Sequence, residues 1–238
     1  MFSQLKRRVS ITPSPFPIPV DGMWLFGALP QHIRHGYDEK STIAYFRRHI
    51  KPATVFIDIG ANYGYFTVLA GKLGATVETF EPDKTSFRRT SWNVRLNGLS
   101  RKVTLHNTAV SDTSGVATFY IDKPGSGLNS LVPGVLKNAK ETRVTIEPYE
   151  GYYDFCKIDV EGAELQVLKG LRHKGIVVAE FCPSRLDEMG LGARTFLQEV
   201  RTMGWKVYSM DEVELTDQEA INLAALEYRD TINLLLIP

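Results

Sequence analysis

The chain holds only two cysteines, Cys156 and Cys182. Two are too few for a disulfide framework or a cysteine-rich metal site. Both fall in apolar runs, where a thiol packs as a small hydrophobe. Excess charge is missing as well: 28 Lys and Arg stand against 27 Asp and Glu, a net of +1. Such a chain is not built for bulk nucleic-acid binding or for a charged membrane surface, although a total says nothing of a local patch. No apolar run reaches the roughly 18 residues that a membrane-spanning helix needs. The basic start, Lys6-Arg7-Arg8, leads into Pro13, Pro15, Pro17 and Pro19. Alternate prolines break the apolar stretch of a signal peptide. These absences point to a reducing, cytoplasmic compartment. What is present is ordinary globular composition, 43% apolar and 23% charged over 238 residues. It excludes wholesale disorder and collagen-like repeats, and it suffices for a sizeable core without metal or disulfide staples.

Residues 1–50 read as an N-terminal arm and helix, and residues 51–238 as a single domain. Proline fixes φ and removes a donor, so residues 11–20 are expected to be extended. A helix is expected from Glu39 to Ile50, with Ile43, Phe46 and Ile50 on one face. Strands and helices then alternate. Strands are expected at Thr54–Ile59, Thr76–Glu81 and Lys102–Val110, with helices at Asn62–Leu73 and Lys84–Leu99 between them. Ser111–Gly151 breaks the rhythm with two strands, Gly115–Ile121 and Glu141–Ile146, around a Gly/Ser/Asn-rich loop, Pro124–Pro133. Long loops inside compact domains are often binding loops or lids. The alternation resumes with Phe155–Val160, a helix from Glu161 to about Arg172, and Gly175–Phe181. A helix near Ala193–Met203, the strand Trp205–Met210, a polar surface stretch Asp211–Asp230 and a last strand Thr231–Ile237 follow. This order predicts an α/β fold: a mostly parallel sheet covered on both faces by helices.

The strongest motif is Asp58-Ile-Gly60-Ala61-Asn62-Tyr-Gly64, set where a strand turns into a helix. Gly60 and Gly64 permit a tight turn, and N–H groups at the helix start face a ligand. Glu81 follows at the end of the next strand, placed to accept from ribose hydroxyls. A dinucleotide loop wants glycine where Asn62 stands, so that the backbone can approach a pyrophosphate. Asn62 crowds a pyrophosphate, and Asp58 suits an ammonium and repels phosphate. Both favour S-adenosylmethionine over NAD or ATP. The bland alternative is a structural turn with Asp58 as a cap.

Lys157, Asp159 and Glu161 alternate along a strand and into the loop beyond it. Period-two spacing puts Lys157 and Asp159 on one face. A lysine inside a sheet covered on both faces is costly unless paired. One reading makes it a catalytic residue beside Asp159 and Glu161, and the other a structural ion pair, held by Glu180 or by Asp159. Asp159 and Glu161 lie where ligands of such sheets bind, beyond the carboxyl ends of the strands. A weak hydroxyl nucleophile needs a base, and Asp159 or Glu161 is expected to supply it. In the alternative, Asp159 holds an ammonium and Glu161 alone faces the acceptor. Glu164 reads as a solvated or capping residue. Two or three acids at the crevice are also a conceivable Mg²⁺ seat, although no spacing demands one. His32 and His35 read as arm residues. The basic helix with Arg88, Arg89 and Arg95 reads as a solvated face, which makes nucleic acid an unfavoured partner.

The loop FIDIGANYGYFTVLA, the FEPD at the second strand, the helix ending RLNGL and the stretch KIDVEGAELQVLKG at 157–170 together resemble the FkbM-type methyltransferases. The resemblance spans roughly Tyr37 to Phe181. It implies a Rossmann-like class I methyltransferase fold with a seven-stranded sheet and an antiparallel last strand. It also implies S-adenosylmethionine-dependent O-methylation, often of sugar hydroxyls on glycans, glycolipids or natural products. Carried over by position, it puts Asp58, Gly60, Ala61, Asn62 and Gly64 at the methionine end, Glu81 and Pro82 at the ribose, and Ala109 and Val110 at the adenine, with Asp112 in that last loop. Tyr37 and Glu39 resemble a Tyr-Glu pair that precedes the fold, and Asn129-Ser130-Leu131 resembles a Ser-Leu loop motif. The chain departs from the family at Thr145-Ile146-Glu147-Pro148, where Thr-Leu-Asp is usual.

Three other readings stay open: an RNA or other polymer methyltransferase, a non-catalytic nucleotide-binding module of the same fold, and a nicotinamide oxidoreductase. The acceptor is not encoded in any motif. Its contacts are expected from the arm, the Pro124–Pro133 loop and the Pro183–Gly192 segment. The aromatics Trp24, Phe26, Tyr37, Tyr149, Tyr152 and Tyr153 suit sugar stacking or ordinary packing equally. The arm covers its own site or reaches across to that of a homodimer partner.

Overall fold

The computed structural model describes residue 14 and residues 16–28, 39–122, 129–133, 139–227 and 231–238. Tyr37, His32, His35 and part of the Pro124–Pro133 loop lie outside the described residues.

A short hairpin, β1 (Ile18–Val20) and β2 (Met23–Leu25), leads to helix α1 (Lys40–His49). The main alternation follows: β3 (Val55–Ile59), α2 (Tyr65–Leu73), β4 (Thr76–Phe80), α3 (Lys84–Leu96) and β5 (Val103–His106). A three-stranded layer interrupts it, with β6 (Ala109–Val110), β7 (Gly115–Ile121) and β8 (Lys140–Glu147). The chain returns through β9 (Phe155–Ile158), α4 (Glu164–Gly170), β10 (Ile176–Phe181), α5 (Pro183–Glu188) and α6 (Ala193–Thr202). It ends with β11 (Lys206–Tyr208), α7 (Asp217–Ala225) and β12 (Ile232–Ile237).

The seven-stranded sheet runs β11-β12-β10-β9-β3-β4-β5. β3, β4, β5, β9 and β10 are parallel, and β12 lies antiparallel between β10 and β11. This is the architecture expected from the sequence, with β12 as the reversed last strand. The order changes direction between β3 and β9, and a crevice opens beyond the carboxyl ends of strands at such a point.

Period-two alternation sorts the strand residues into two cores. Ile57, Ile59, Cys156, Ile158, Val177, Ala179, Leu234 and Leu236 face α4, α6 and α7. Phe56, Phe155, Val178 and Leu235 face α1 and α2, where Val20, Met23 and Leu25 of the hairpin are also buried. Both cysteines are free and buried.

The structure corrects the sequence expectations at four places. Lys102–Val110 is not one strand. It divides at Asn107-Thr108, because Asn107 Nδ2 donates to the carbonyls of Glu81 and Pro82 and pulls the chain out of the sheet. Ala109–Val110 then pairs with β8. The helix expected from Glu161 begins at Glu164, after a left-handed turn at Glu161 and Gly162. Pro183–Glu188 is a helix, with proline in its first turn. The polar stretch after Asp211 contains α7, started by a capping box between Thr216 and Glu219.

Candidate active site

The strand ends set a polar row across the sheet on the α1 face. Asp58 of β3 pairs in register with Lys157 of β9, and Glu180 of β10 with Asn233 of β12. Each lies two residues from an apolar core position, after it on the parallel strands and before it on the reversed β12, so the same alternation that buries Phe56, Phe155, Val178 and Leu235 brings these polar groups together at the crevice.

The β3–α2 turn closes against this edge. Gly60 has φ 84°, and a Cβ there would stand 1.9 Å from the Asp159 carbonyl oxygen. Gly64 has φ 85°, and its Cβ would press on Thr90 at 2.6 Å. Only glycine fits both positions. Asn62 is itself left-handed, with φ 53°, a conformation asparagine tolerates better than most residues. Its N–H donates to Glu81 Oε2 at 2.7 Å, and the Asp83 N–H donates to Glu81 Oε1 at 2.8 Å. Glu81 is thereby locked at the tip of β4. Burial, opposed by these two N–H groups, pushes its carboxyl up to about 8.

Asp58 lies under the turn and accepts from Thr67 Oγ1 at 2.5 Å. Burial lifts it to about 6, against that hydrogen bond and the Lys157 ammonium. Lys157 is 1% exposed. Its Nζ sits 3.6 Å from Asp159 Oδ2 and 3.7 Å from Glu39 Oε2. Glu39, not Glu180, is thus its second partner. Burial works to remove the lysine proton, but the carboxylates of Glu39, Asp159, Glu180 and Asp58 outweigh it and hold the ammonium above its ordinary value. Glu39 also accepts from Asn233 Nδ2 at 2.5 Å, which ties the start of α1 to β12.

Beyond β9, Glu161 takes φ 57°. Its carbonyl accepts from Ser130 Oγ at 2.8 Å. Glu164 is buried, not solvated: its Oε1 accepts from the N–H groups of Val160 and Gly162 and shapes the turn from below. The Glu161 carboxylate meets Arg185 Nη1 at 2.6 Å. Burial first, then Asp159, raise Glu161 to about 8, while Arg185 opposes them. Glu180 accepts from the same Arg185 nitrogen at 2.8 Å. Asp159, Glu161 and Glu180 each offer one oxygen within 4.8 Å of the others, and the Arg185 cation already bonds two of the three.

A cavity of about 530 Å³ opens at this edge. One end is apolar, with Phe80, Ala109, Val110, Phe119 and Leu131; Gly60, Asn62 and Pro82 form its rim. Among the described residues, every ionisable side chain in its wall is a carboxylic acid: Glu81, Asp159 and Glu161. A second cavity of about 410 Å³ shares Gly60, Asn62 and Asp159 with it and reaches Ala61, Asp58, Tyr63, Tyr65 and Lys157. Asp159 therefore stands in the wall between the two.

Of the residues singled out in the sequence, Glu81, Pro82, Ala109, Val110, Asn62, Asp159 and Glu161 line the first cavity, and Asp58, Ala61 and Lys157 the second. Gly64 shapes the turn without lining either. Asp112 is exposed and bonds Ser111. Tyr149 and Tyr153 are buried core, while Trp24 and Tyr152 are exposed. Sequence reasoning missed Arg185, Phe80 and Phe119. The Pro183-Ser-Arg-Leu run after β10 was the available signal for a helix carrying Arg185.

The comparisons with known proteins agree with this geometry. The model of the methyltransferase FkbM domain matches residues 58–204. Methyltransferase 1 of Beauveria bassiana is 27% identical, over 55% of this chain and 66% of its own length. Methyltransferase sdnD of Sordaria araneosa is 30% identical, over 50% of this chain and 61% of its own. The chain thus spans less than two thirds of either relative. Among solved structures, TYW2 of Pyrococcus horikoshii in complex with MeSAdo superposes with a TM-score of 0.53 at 13% identity, covering 94% of this chain and 70% of its own. A transferase of the same organism gives 0.51 at 12% identity, with the same coverage. Those two likenesses speak for the fold, which is that of the class I methyltransferases. The glycine turn, the Lys157–Gly170 stretch and the family match lead to one assignment: the chain belongs to the FkbM methyltransferase family.

Proposed function

We propose that the chain is an S-adenosylmethionine-dependent O-methyltransferase acting on a hydroxyl of a sugar, glycan, glycolipid or small natural product. The observation that carries this reading is the wall of the larger cavity. Among the described residues it pairs an apolar slot with carboxylic acids and has no basic side chain. That lining suits a ligand with a flat base, a diol and positive charge, and it opposes a pyrophosphate.

The residues fit the donor in three parts. Phe80, Ala109, Val110 and Leu131 form the slot for adenine. Glu81 keeps a lone pair on each oxygen beside its two backbone bonds, enough to accept from both ribose hydroxyls. Asp58 and Asp159 serve the amino-acid tail, since the N–H groups of Gly60, Ala61, Asn62 and Gly64 already donate to Phe80, Glu81 and Ala61. When bound, S-adenosylmethionine supplies an activated methyl group on a sulfonium. The chain's own task is then alignment and proton removal, and alignment alone is worth about 7 kcal/mol or more. Glu161 is the assigned base: its raised carboxyl near 8 is matched to taking a hydroxyl proton close to neutral pH. Lys157, held charged, positions Asp159 and offers no lone pair for proton abstraction.

Two experiments test the reading. Calorimetry is expected to give micromolar affinity for S-adenosylhomocysteine and none for NAD. Labelled methyl transfer from S-adenosylmethionine is expected to glycosides and natural-product alcohols and not to RNA, and to fall at least about 100-fold in E161Q. Undiminished turnover in E161Q would remove the base assignment, and transfer to RNA alone would replace the acceptor class.

A further inference from the structure

Glu161 faces Asp159 beyond β9, Lys157 within β9, Glu164 at the start of α4, Glu180 in β10 and Arg185 in α5. Three of these are acids and two are cations, so with Glu161 itself four acids, Asp159, Glu161, Glu164 and Glu180, stand against Lys157 and Arg185. Lys157 is engaged with Glu39 and Asp159. Among the described residues Arg185 is therefore the cation that touches Glu161, and it touches Glu180 with the same nitrogen, at 2.6 and 2.8 Å. The local backbone is built for this contact. Glu161 and Gly162 are both left-handed, with φ 57° and 110°, which turns the Glu161 side chain toward α5. A Cβ at Gly162 would stand 2.8 Å from Met189 Sδ, so the missing side chain lets the end of α5 settle on the turn. Left-handed backbone at a bulky residue is strained and persists where the surroundings hold it. Here Ser130, Glu164 and Arg185 hold it from three sides.

We propose that Arg185, shared between Glu161 and Glu180, is a positioning residue that governs when Glu161 carries its proton and keeps the Glu161 carboxylate at the cavity wall. Glu180 acts in the opposite sense, by drawing part of the guanidinium charge to itself. The importance of this control for catalysis rests on Glu161 being the base; the control itself does not. A purely structural bridge between α5 and the turn would tie the elements together without giving its two carboxylates opposite effects.

The experiment follows the carboxyl carbon of Glu161 by ¹³C NMR in protein labelled at glutamate Cδ, titrated from about pH 5 to 10 in wild type, R185Q, R185K and E180Q. The Glu161 signal is the one that E161Q removes. R185Q is expected to raise its midpoint by about one pH unit or more, a tenfold change in the proton equilibrium. R185K is expected to stay nearer wild type, because it keeps the charge. E180Q is expected to lower the midpoint. Unmoved midpoints, or shifts of the same sign in R185Q and E180Q, overturn the proposal. If R185Q does not fold, the E180Q shift is compared in the wild-type and R185K backgrounds: the shorter ammonium of R185K cannot bridge both carboxylates, so the shift is expected to shrink there, and equal shifts, the mark of direct Glu180–Glu161 repulsion, overturn the proposal. Methyl transfer by E161Q is read separately. Retained transfer with opposite NMR shifts removes the base reading and leaves the Arg185 control standing, and abolished transfer with unmoved midpoints does the reverse.

Discussion

Glu81 carries two demands at one residue. Its oxygens close the β3–α2 turn through the N–H groups of Asn62 and Asp83, and in the proposed function they also receive a ribose. The substitution E81Q separates the two. An amide has a single acceptor oxygen and an NH₂ donor in place of the other, so one backbone N–H loses its partner and the ribose loses a charged acceptor. Charged hydrogen bonds are worth about 1.5–3 kcal/mol each, so affinity for S-adenosylhomocysteine at about pH 8.5 is expected to fall roughly 100-fold by calorimetry. Stability gives a second reading with a definite sign. The folded carboxyl sits near 8, above its ordinary 4.5, so its contribution is complete below the ordinary value and is lost as pH rises through about 8. Glutamine does not titrate. The melting temperature of E81Q is expected to lie below wild type at pH 6, with the gap narrowing toward pH 9; a gap independent of pH would deny the buried titration. Gly60 invites a sharper test. G60A places a Cβ on the Asp159 carbonyl and strains φ 84°. The expected loss is about 2 kcal/mol or more, read as a lower melting temperature together with lost donor affinity, because the turn and the β9 loop must part. At this scale Asp58, Gly60, Asn62, Glu81, Asp159 and Glu161 were legible, since each sits at a strand end and strand ends are readable from alternation. Arg185 was not: it reaches Glu161 from an element 24 positions later, and only the folded turn at Glu161 brings them together.

At the scale of elements, the hairpin is fastened to α3 by two asparagines one helical turn apart. Asn97 exchanges hydrogen bonds with the Trp24 backbone. Asn93, fully buried, accepts from the Phe26 N–H at 2.7 Å and donates to the carbonyls of Phe26 and Tyr63. One amide thus joins the hairpin, the helix and the β3–α2 turn. N93A leaves three backbone groups without it, at about 1–3 kcal/mol for a buried unpaired group. A net loss near 3 kcal/mol corresponds to roughly 6–12 °C in a chain of this size. Calorimetric melting should show that drop, and N97A, whose bonds are more exposed, should show a smaller one. Donor affinity should fall in N93A and not in N97A, because only Asn93 holds Tyr63. The elements that alternation reveals, β3, α2, β4, α3, β9 and β10, fall where the sequence places them. Those it hides have identifiable causes. The break between β5 and β6 depends on Asn107 bonding carbonyls of the neighbouring strand end. Helix α7 buries only Ala220 and Ala224, so its apolar stripe is too thin to stand out, although Thr216-Asp-Gln-Glu219 spells a capping box.

On the scale of the whole molecule, the sheet collects more buried acid than base at one edge. Asp58 is raised to about 6, Glu81 and Glu161 to about 8, and Glu39, Glu164 and Glu180 upward as well, in every case chiefly by burial. Lys157 and Arg185 are the cations set among them. The folded protein therefore binds more protons than the unfolded chain between the ordinary carboxylate range and about pH 8. Stability must decline as pH rises through that window. A ligand that brings positive charge to the same edge lowers these raised values, so it releases protons on binding and is favoured by higher pH. S-Adenosylmethionine carries a sulfonium and an ammonium, and S-adenosylhomocysteine only the ammonium. The melting temperature of the free protein is thus expected to fall from pH 6 to pH 9. The rise caused by saturating S-adenosylmethionine is expected to be larger at pH 9 than at pH 6, and its pH dependence steeper than that of S-adenosylhomocysteine. Calorimetry in two buffers of different ionisation enthalpy should show proton release near pH 7. Proton uptake on binding, or equal pH dependence for the two ligands, would mean that the acids do not face the donor's charge and that the edge is acidic for another reason.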